Sequence, residues 1–480
     1  MRVSVMLRHP VAGWAALAAA WLAALLLVSQ RVLAPSQFTR AFIIGPAAVM
    51  GAAVALAGRR RLSAAAALPV ACVAVWPGSS LTAALLIGIL LVRLPTRAPR
   101  GLYVGRTSLG IPVSLPDGDR LLHVQVLGPT GSGKSSTVLH PWILQDLRAG
   151  RGVTLIEPKG DLAAAVRRTA LNLGRTVVPF NPTRPDCPHL NPIAGDGAAA
   201  GEGLALALDQ LEPGSHPFYR SVSRVLLVQA VRLVKQAHGE DASLETVEQA
   251  LHQPAYRRRL LSQVDDADLT RYFEDEWGAL PPARQLELEL GLLNRLRGLR
   301  VHPALAHALT PPYDFSLDEV LAQNLVLVSP LNGAELGLGA QALGVLLWHL
   351  FVQAAYRAGP QNALVHTLYL DEFHQYVSPD LSDVLAMIRG YGIGLVLAHQ
   401  DMGQLSPTLR TAVLANARTR VILAGTAAED VTLLGRAAAP QPLPNPRYLP
   451  RGRAVWMPTR QGRLQPPRLV RLPSPVRVQP

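Results

Sequence analysis

Gly128, Gly133, Lys134 and Ser135 carry the most specific chemical signal in this chain. They stand in the stretch His123-Val124-Gln125-Val126-Leu127-Gly128-Pro129-Thr130-Gly131-Ser132-Gly133-Lys134-Ser135-Ser136, where a short apolar run passes into a glycine-rich loop and a helix start. The spacing is G-x-x-x-x-G-K-[ST], that of a loop which wraps phosphates. Its glycines let the backbone curl close to an anion, and backbone N–H groups and a helix N-terminus point at it. The loop residues Gly128, Pro129, Thr130, Gly131, Ser132, Gly133, Lys134, Ser135 and Ser136 are therefore expected to hold a nucleotide. Lys134 would reach the β- and γ-phosphates and the Ser135 hydroxyl would hold Mg²⁺, so ATP and Mg²⁺ are the expected cofactors. The plainer alternative is a strand–turn–helix connection without a ligand. Lysine usage weighs against it, because Lys134, Lys159 and Lys235 are the only lysines among 46 basic residues. Lysine stands where a compact, flexible ammonium is needed.

A second acidic cluster completes the chemistry. An apolar run ends at Asp371-Glu372, as a P-loop ATPase requires of the strand neighbouring its loop. Asp371 is expected to position Mg²⁺ and Glu372 to act as general base toward the attacking water. Gln400 ends the next apolar run, at a strand end where ligands bind in open α/β sheets, and a glutamine there can orient water or sense the γ-phosphate. Arg389 precedes Gly390-Tyr391-Gly392-Ile393-Gly394, which lacks dinucleotide spacing and reads as a helix-to-strand turn. A helix-terminal arginine complements the helix dipole; in a ring of ATPases it would instead reach the neighbouring subunit's nucleotide.

The elements that must position these residues follow from composition and order. The chain of 480 residues has a net charge of +13 and 5% aromatics, which suits an anionic partner met through arginine–phosphate contact rather than base stacking. Cys72 and Cys187 stand far apart and suggest no disulfide. No histidine shows metal-ligand spacing. Residues 1–95 contain uncharged Ala/Leu-rich runs at Val11–Val28 and Ala41–Ala57 and a block at Leu62–Val92 broken by Trp76-Pro77-Gly78-Ser79-Ser80. They are expected to form a transmembrane region of four short spans. Arginine placement puts the N-terminus and the P-loop on the cytoplasmic side. Residues 96–199 alternate apolar strands and helices, the sign of a parallel α/β sheet; the helix from Ser135 is expected to kink at Pro141. Residues 200–308 lose all strand signals and are expected to form an all-helical insertion. Its arginines Arg257, Arg258, Arg259, Arg295, Arg297 and Arg300 read first as a solvated helix face. Residues 309–480 resume the α/β pattern and end in a Pro/Arg-rich tail, in which Ala454–Met457 and Arg463–Val470 are expected to pair as a hairpin about Gln461-Gly462.

The runs GPTGSGKSS, EPKGDL, FNP…LNP, LYLDEF, RGYGIGLVLAHQ and NARTRVILAG, in that order, resemble the type IV secretion coupling protein family, the membrane-anchored conjugative DNA-transfer ATPases. The resemblance covers about 100–192 and 315–460. It implies a RecA-like P-loop NTPase domain in a hexameric ring that pumps DNA through its channel, with Lys134 and Ser135 binding nucleotide and Mg²⁺, Asp371 and Glu372 as the second acidic motif, Gln400 as the following glutamine and Arg389 as the arginine finger. It further implies single-stranded DNA carried with relaxase nucleoprotein, contact with secretion-channel components and membrane lipid, and a multi-pass place in the bacterial inner membrane. Glu157 departs from the aspartate usual in the family. Two rivals are the export of protein effectors by the same motor, and a docking platform that recruits nucleoprotein without hydrolysis; a platform needs none of Lys134, Ser135, Asp371 and Glu372.

Overall fold

Strand Val124–Leu127 (β3) lies inside an eleven-stranded sheet in the computed structural model, buried along its whole length. The structure describes residues 101–474 except 213, 215 and 378–380. The expected transmembrane region 1–95 lies outside the described residues.

The sheet order is β2-β1-β13-β10-β9-β3-β8-β7-β4-β6-β5. Its members include β1 (Leu102–Thr107), β2 (Pro112–Leu115), β4 (Gly152–Glu157), β5 (Val177–Pro179) and β6 (Val326–Pro330). They continue with β7 (Gln361–Asp371), β8 (Tyr391–His399), β9 (Thr419–Leu423), β10 (Arg453–Met457) and β13 (Arg468–Arg471). The run from β9 to β5 is parallel throughout, whereas β10, β13, β1 and β2 are added antiparallel. Parallel strands covered on both faces need apolar residues at every position, and β4, β6 and β9 are buried from end to end.

One face of the sheet is covered by α1 (His140–Arg148) and α2 (Asp161–Asn172), with Trp142, Ile143, Leu147 and Val166 packed against Val126, Val153, Tyr369 and Val421. A π-helical segment, Lys134–Leu139, runs into α1. The departure from α geometry thus precedes Pro141, which sits in the first turn of α1, where a missing N–H costs nothing.

The other face carries the helices of 197–308: α3 (Gly197–Asp209), α4 (Pro217–His238), α5 (Leu244–His252), α6 (Pro254–Leu261), α7 (Ala267–Arg271), α8 (Pro282–Val301) and α9 (Pro303–Ala308). Helices α10 (Leu317–Ala322) and α11 (Leu338–Ala358) join them. Their apolar residues form one core with Leu127, Ile156, Leu370 and Leu397 of the sheet. Among the described residues α11 alone is long and apolar enough to cross a membrane, but it is 83% buried inside this core. Helix α11 is therefore a core helix. Helices α12 (Leu381–Met387), α13 (Pro407–Asn416) and α14 (Ala428–Ala438) follow, and two single turns of helix lie at Asp117–Arg120 and Gly333–Leu336.

The tail differs from the expected simple hairpin. Arg453–Met457 pairs with Arg468–Arg471, and a separate small ladder, Thr459–Arg460 (β11) with Arg463–Leu464 (β12), closes about Gln461-Gly462. Pro466 and Pro467 lie between the two ladders, and proline cannot donate to either one.

Candidate active site

The loops after β3, β4, β7 and β8 leave the sheet at its carboxyl edge, the usual place for ligands in an open α/β sheet. Two glycines allow the first of these loops its shape. A Cβ on Gly128 would stand 2.7 Å from Leu423 Cβ, and Gly133 has φ +99°, a left-handed conformation that side chains disfavour.

Lys134 and Ser135 begin the helical segment after the loop. Lys134 is buried and its Nζ donates to the Gly128 carbonyl at 2.7 Å while lying 3.6 Å from Glu372 Oε1. Ser135 Oγ donates to Asp371 Oδ2 at 3.0 Å. Thr130 Oγ1 donates to Gln400 Oε1 at 2.9 Å, and Gln400 Nε2 donates in turn to Glu372 Oε1 at 3.0 Å. The P-loop, the acidic pair and Gln400 therefore form one connected cluster.

Asp371 is not on the strand beside the P-loop strand. Strand β8 lies between them, hydrogen-bonded to β3 on one side and β7 on the other. The expectation of a neighbouring strand fails because chain order does not reveal strand order in a parallel sheet; the crossover from β7 through α12 inserts β8. This insertion puts Gln400 between the loop and the acids.

Burial, then the Glu372 carboxylate beside it, raise the Asp371 pKa. Glu372 itself has φ 53° and ψ 46°, a strained conformation for a residue with a side chain. Asp371 Oδ1 and Glu372 Oε2 are buried without hydrogen-bond partners. A buried carboxylate oxygen without a partner is costly, and with the Ser135 hydroxyl it makes the hard oxygen donor set that Mg²⁺ prefers. The residues fit the ion.

Glu157 was legible only as a departure from a motif. Its carboxylate accepts from the backbone N–H groups of Lys159, Gly160 and Ala163 at 2.8, 2.7 and 3.1 Å, so it ties the loop after β4 to the start of α2. Burial raises its pKa. The sequence signal was an acidic residue just ahead of a Pro-Lys-Gly turn and a helix. Arg389 is not brought to this cluster. It is exposed in the turn before β8, at the end of that strand opposite Gln400. Its charge acts instead on His123, at the entrance to β3.

Two family profiles match the chain. One, described as "Type IV secretory system Conjugative DNA transfer", matches residues 90–275, and the other, "TraM recognition site of TraD and TraG", matches residues 366–438. The chain belongs to the type IV secretion coupling protein family. The fold of this coupling protein is similar to the solved bacterial conjugative coupling protein TrwBdeltaN70 in its unbound form, at 17% identity and TM-score 0.54 over 80% of this chain and 91% of that one. It is similar to TrwB in complex with the non-hydrolysable ATP analogue ADPNP, at 16% identity and TM-score 0.56 over 80% and 92%. It is also similar to VirB4 of Thermoanaerobacter pseudethanolicus, at 14% identity and TM-score 0.51 over 79% and 98%. These likenesses establish a RecA-like α/β P-loop NTPase fold for this coupling protein. No curated protein matches it significantly.

Proposed function

We propose that this coupling protein hydrolyses ATP to drive DNA through a type IV conjugation system. The observation that carries the proposal is the gathering of Lys134, Ser135, Asp371, Glu372 and Gln400 at one sheet edge by hydrogen bonds and the Lys134–Glu372 ion pair. The two rivals, protein export and non-hydrolysing docking, are outcomes of the test below.

In this reading the loop Gly128–Ser136 wraps the phosphates. Lys134 leaves the Gly128 carbonyl for the β- and γ-oxygens, where an ammonium offsets developing charge. Ser135 Oγ and Asp371 would hold Mg²⁺, which would supply charge neutralisation at the phosphates. Glu372 takes a proton from the attacking water, and Gln400, already on Glu372, orients that water. ADPNP, and ADP with Mg²⁺, are bound in solved TrwB, which supports ATP and Mg²⁺ here.

Around this core we place residues 1–95 as an inner-membrane anchor of four spans, 96–199 and 309–480 as the two parts of a cytoplasmic motor, and 200–308 as an all-helical insertion. Arg389 faces away from its own cluster and would act on a neighbouring subunit in a hexameric ring. The partners are DNA, single-stranded and arriving with relaxase nucleoprotein, together with channel components and lipid.

The test is ATP turnover by the purified full chain in lipid nanodiscs, with and without single-stranded or duplex DNA. DNA should stimulate turnover, and Lys134→Ala should lower it about 10²-fold or more. Turnover indifferent to DNA would favour protein as the transported substrate. Assembled rings with no turnover would overturn the motor in favour of the docking platform.

A further inference from the structure

Beneath the cluster runs a file of buried polar groups that the reaction itself does not use. Arg420 on β9 is 4% exposed, Gln125 on β3 is fully buried, and His399 ends β8 fully buried. Arg420 Nε donates to Gln125 Oε1 at 3.1 Å. Its Nη2 donates at 2.5 Å to the carbonyl of Leu414, near the C-terminus of α13. Gln125 Nε2 lies 2.9 Å from His399 Nε2 and 3.1 Å from Met402 Sδ. His399 Nδ1 lies 2.8 Å from the Asp401 carbonyl.

The direction of this file is fixed by chemistry. Arginine has no acceptor, so Gln125 must present its oxygen to Arg420 and its NH₂ group to His399 and Met402. His399 must then accept at Nε2 and donate from Nδ1 to Asp401. Each proton therefore points from Arg420 toward the residue after Gln400. The same turn is held from outside, because the Gln400 and Asp401 N–H groups donate to Gln404 Oε1 at 3.0 and 3.4 Å. The Phe373 ring, next to Glu372, meets the His399 ring edge-on at 5.2 Å.

A buried arginine is costly unless something offsets its charge. No carboxylate acts on Arg420 among the described residues. The carbonyl end of α13 offsets it in part. Retaining such a group in the sheet beside the P-loop strand requires a return.

We propose that Arg420, Gln125 and His399 are positioning residues: a one-way hydrogen-bond relay that ties the C-terminus of α13 to Gln400 and keeps its amide between Thr130 and Glu372. The relay rests on the nucleotide-site reading. A shift of α13 would turn the glutamine that faces the γ-phosphate, so the relay governs discrimination between ATP and ADP rather than binding as such.

The test uses the full chain in nanodiscs, with turnover against pH and the affinities for ADP and for ATPγS as readouts. Gln125→Leu breaks the relay. It should lower kcat about tenfold to a hundredfold, the cost of a misplaced site group, and reduce the preference for ATPγS over ADP while leaving ADP affinity unchanged. Gln125→Glu keeps the bond to Arg420 but offers His399 Nε2 only an acceptor, so the contact re-forms when His399 is protonated. The charged groups that bear on that proton are Asp401, which favours it, and His374 and Lys134, which oppose it; Arg420 opposes it through the shared carboxylate. Burial holds His399 at about 4 in the native chain, and a carboxylate placed against its Nε2 lifts it back toward the usual histidine range. The ratio of Gln125→Glu to wild-type turnover should therefore climb as pH falls below about 7, while the Gln125→Leu ratio stays flat. A flat ratio for Gln125→Glu, full activity and preference in Gln125→Leu, or an equal loss of ADP affinity, would overturn the relay. Wild-type protein that binds nucleotide without turning it over would refute the motor yet leave nucleotide preference to decide the relay. Wild-type protein that binds no nucleotide would overturn both.

Discussion

Glu372 stands in a left-handed backbone conformation with one carboxylate oxygen toward Lys134 and Gln400 and the other without a hydrogen bond, 4.0 Å from His374 Nδ1. In the proposed reaction it takes the proton. Glu372→Gln should therefore still bind ATP while turnover falls about 10²–10⁴-fold, read by nucleotide binding beside phosphate release. Other single residues govern acid sensitivity. Burial lowers His123 and His399 to about 4 and His366 to about 3. The unfolded chain takes up these protons near the ordinary histidine value of about 6.5. Stability is thus full above that value and is lost as pH falls from it toward the folded values, by on the order of 1 kcal/mol per histidine per pH unit. Denaturant midpoints measured between pH 7 and 4.5 check this; a midpoint indifferent to pH would refute it. Lys134 and Ser135 were legible in the sequence because the loop that needs them is contiguous. The Thr130–Gln400 bond was not, since its partners are 270 positions apart and meet only through strand order.

At the scale of elements, α1 is fastened to the sheet by a buried ion pair as well as by Trp142. Arg120 Nη1 donates to Asp146 Oδ1 at 2.7 Å, Tyr369 OH donates to Asp146 Oδ2 at 2.7 Å, and Arg120 Nη2 donates to Thr367 Oγ1 at 3.0 Å. Burial alone would raise Asp146, but Arg120 and its other donors hold it below the usual carboxylate range. Its contribution is present above the unfolded carboxylate pKa and is lost as pH falls through the lowered one. Asp146→Asn should cost about 3–5 kcal/mol, because it leaves the buried Arg120 guanidinium only the part-exposed Asp117 carboxylate at 3.4 Å, and thermal unfolding of the two proteins measures that cost. Strands and helices of this half were largely legible because buried parallel strands read as apolar runs. The arrangement of strands was not, because every crossover leaves the order of its two strands open.

At the scale of the whole molecule, the helices of 197–308 share one core with the sheet, so the segment that lost its strand signals did not become a body with a separate core. Arg389, at the far end of β8 from Gln400, gives the ring reading its sharpest check. Arg389→Ala and Lys134→Ala subunits, each inactive alone, should regain partial turnover when mixed before assembly, since some interfaces then pair an intact loop with an intact arginine. No recovery in rings shown to be mixed would refute a role between subunits. The order of manufacture matters as well. Strand β1 is made early, but its neighbour β13 is among the last described residues, paired through Arg106 with Arg471 and Thr107 with Val470. At 5–20 residues per second the ribosome leaves that edge of β1 waiting on the order of tens of seconds, protected only by β2 on its other side. A nascent chain cut short before Arg468 would keep this edge open to pairing with a second nascent chain. The basic tail is therefore the seal on the sheet.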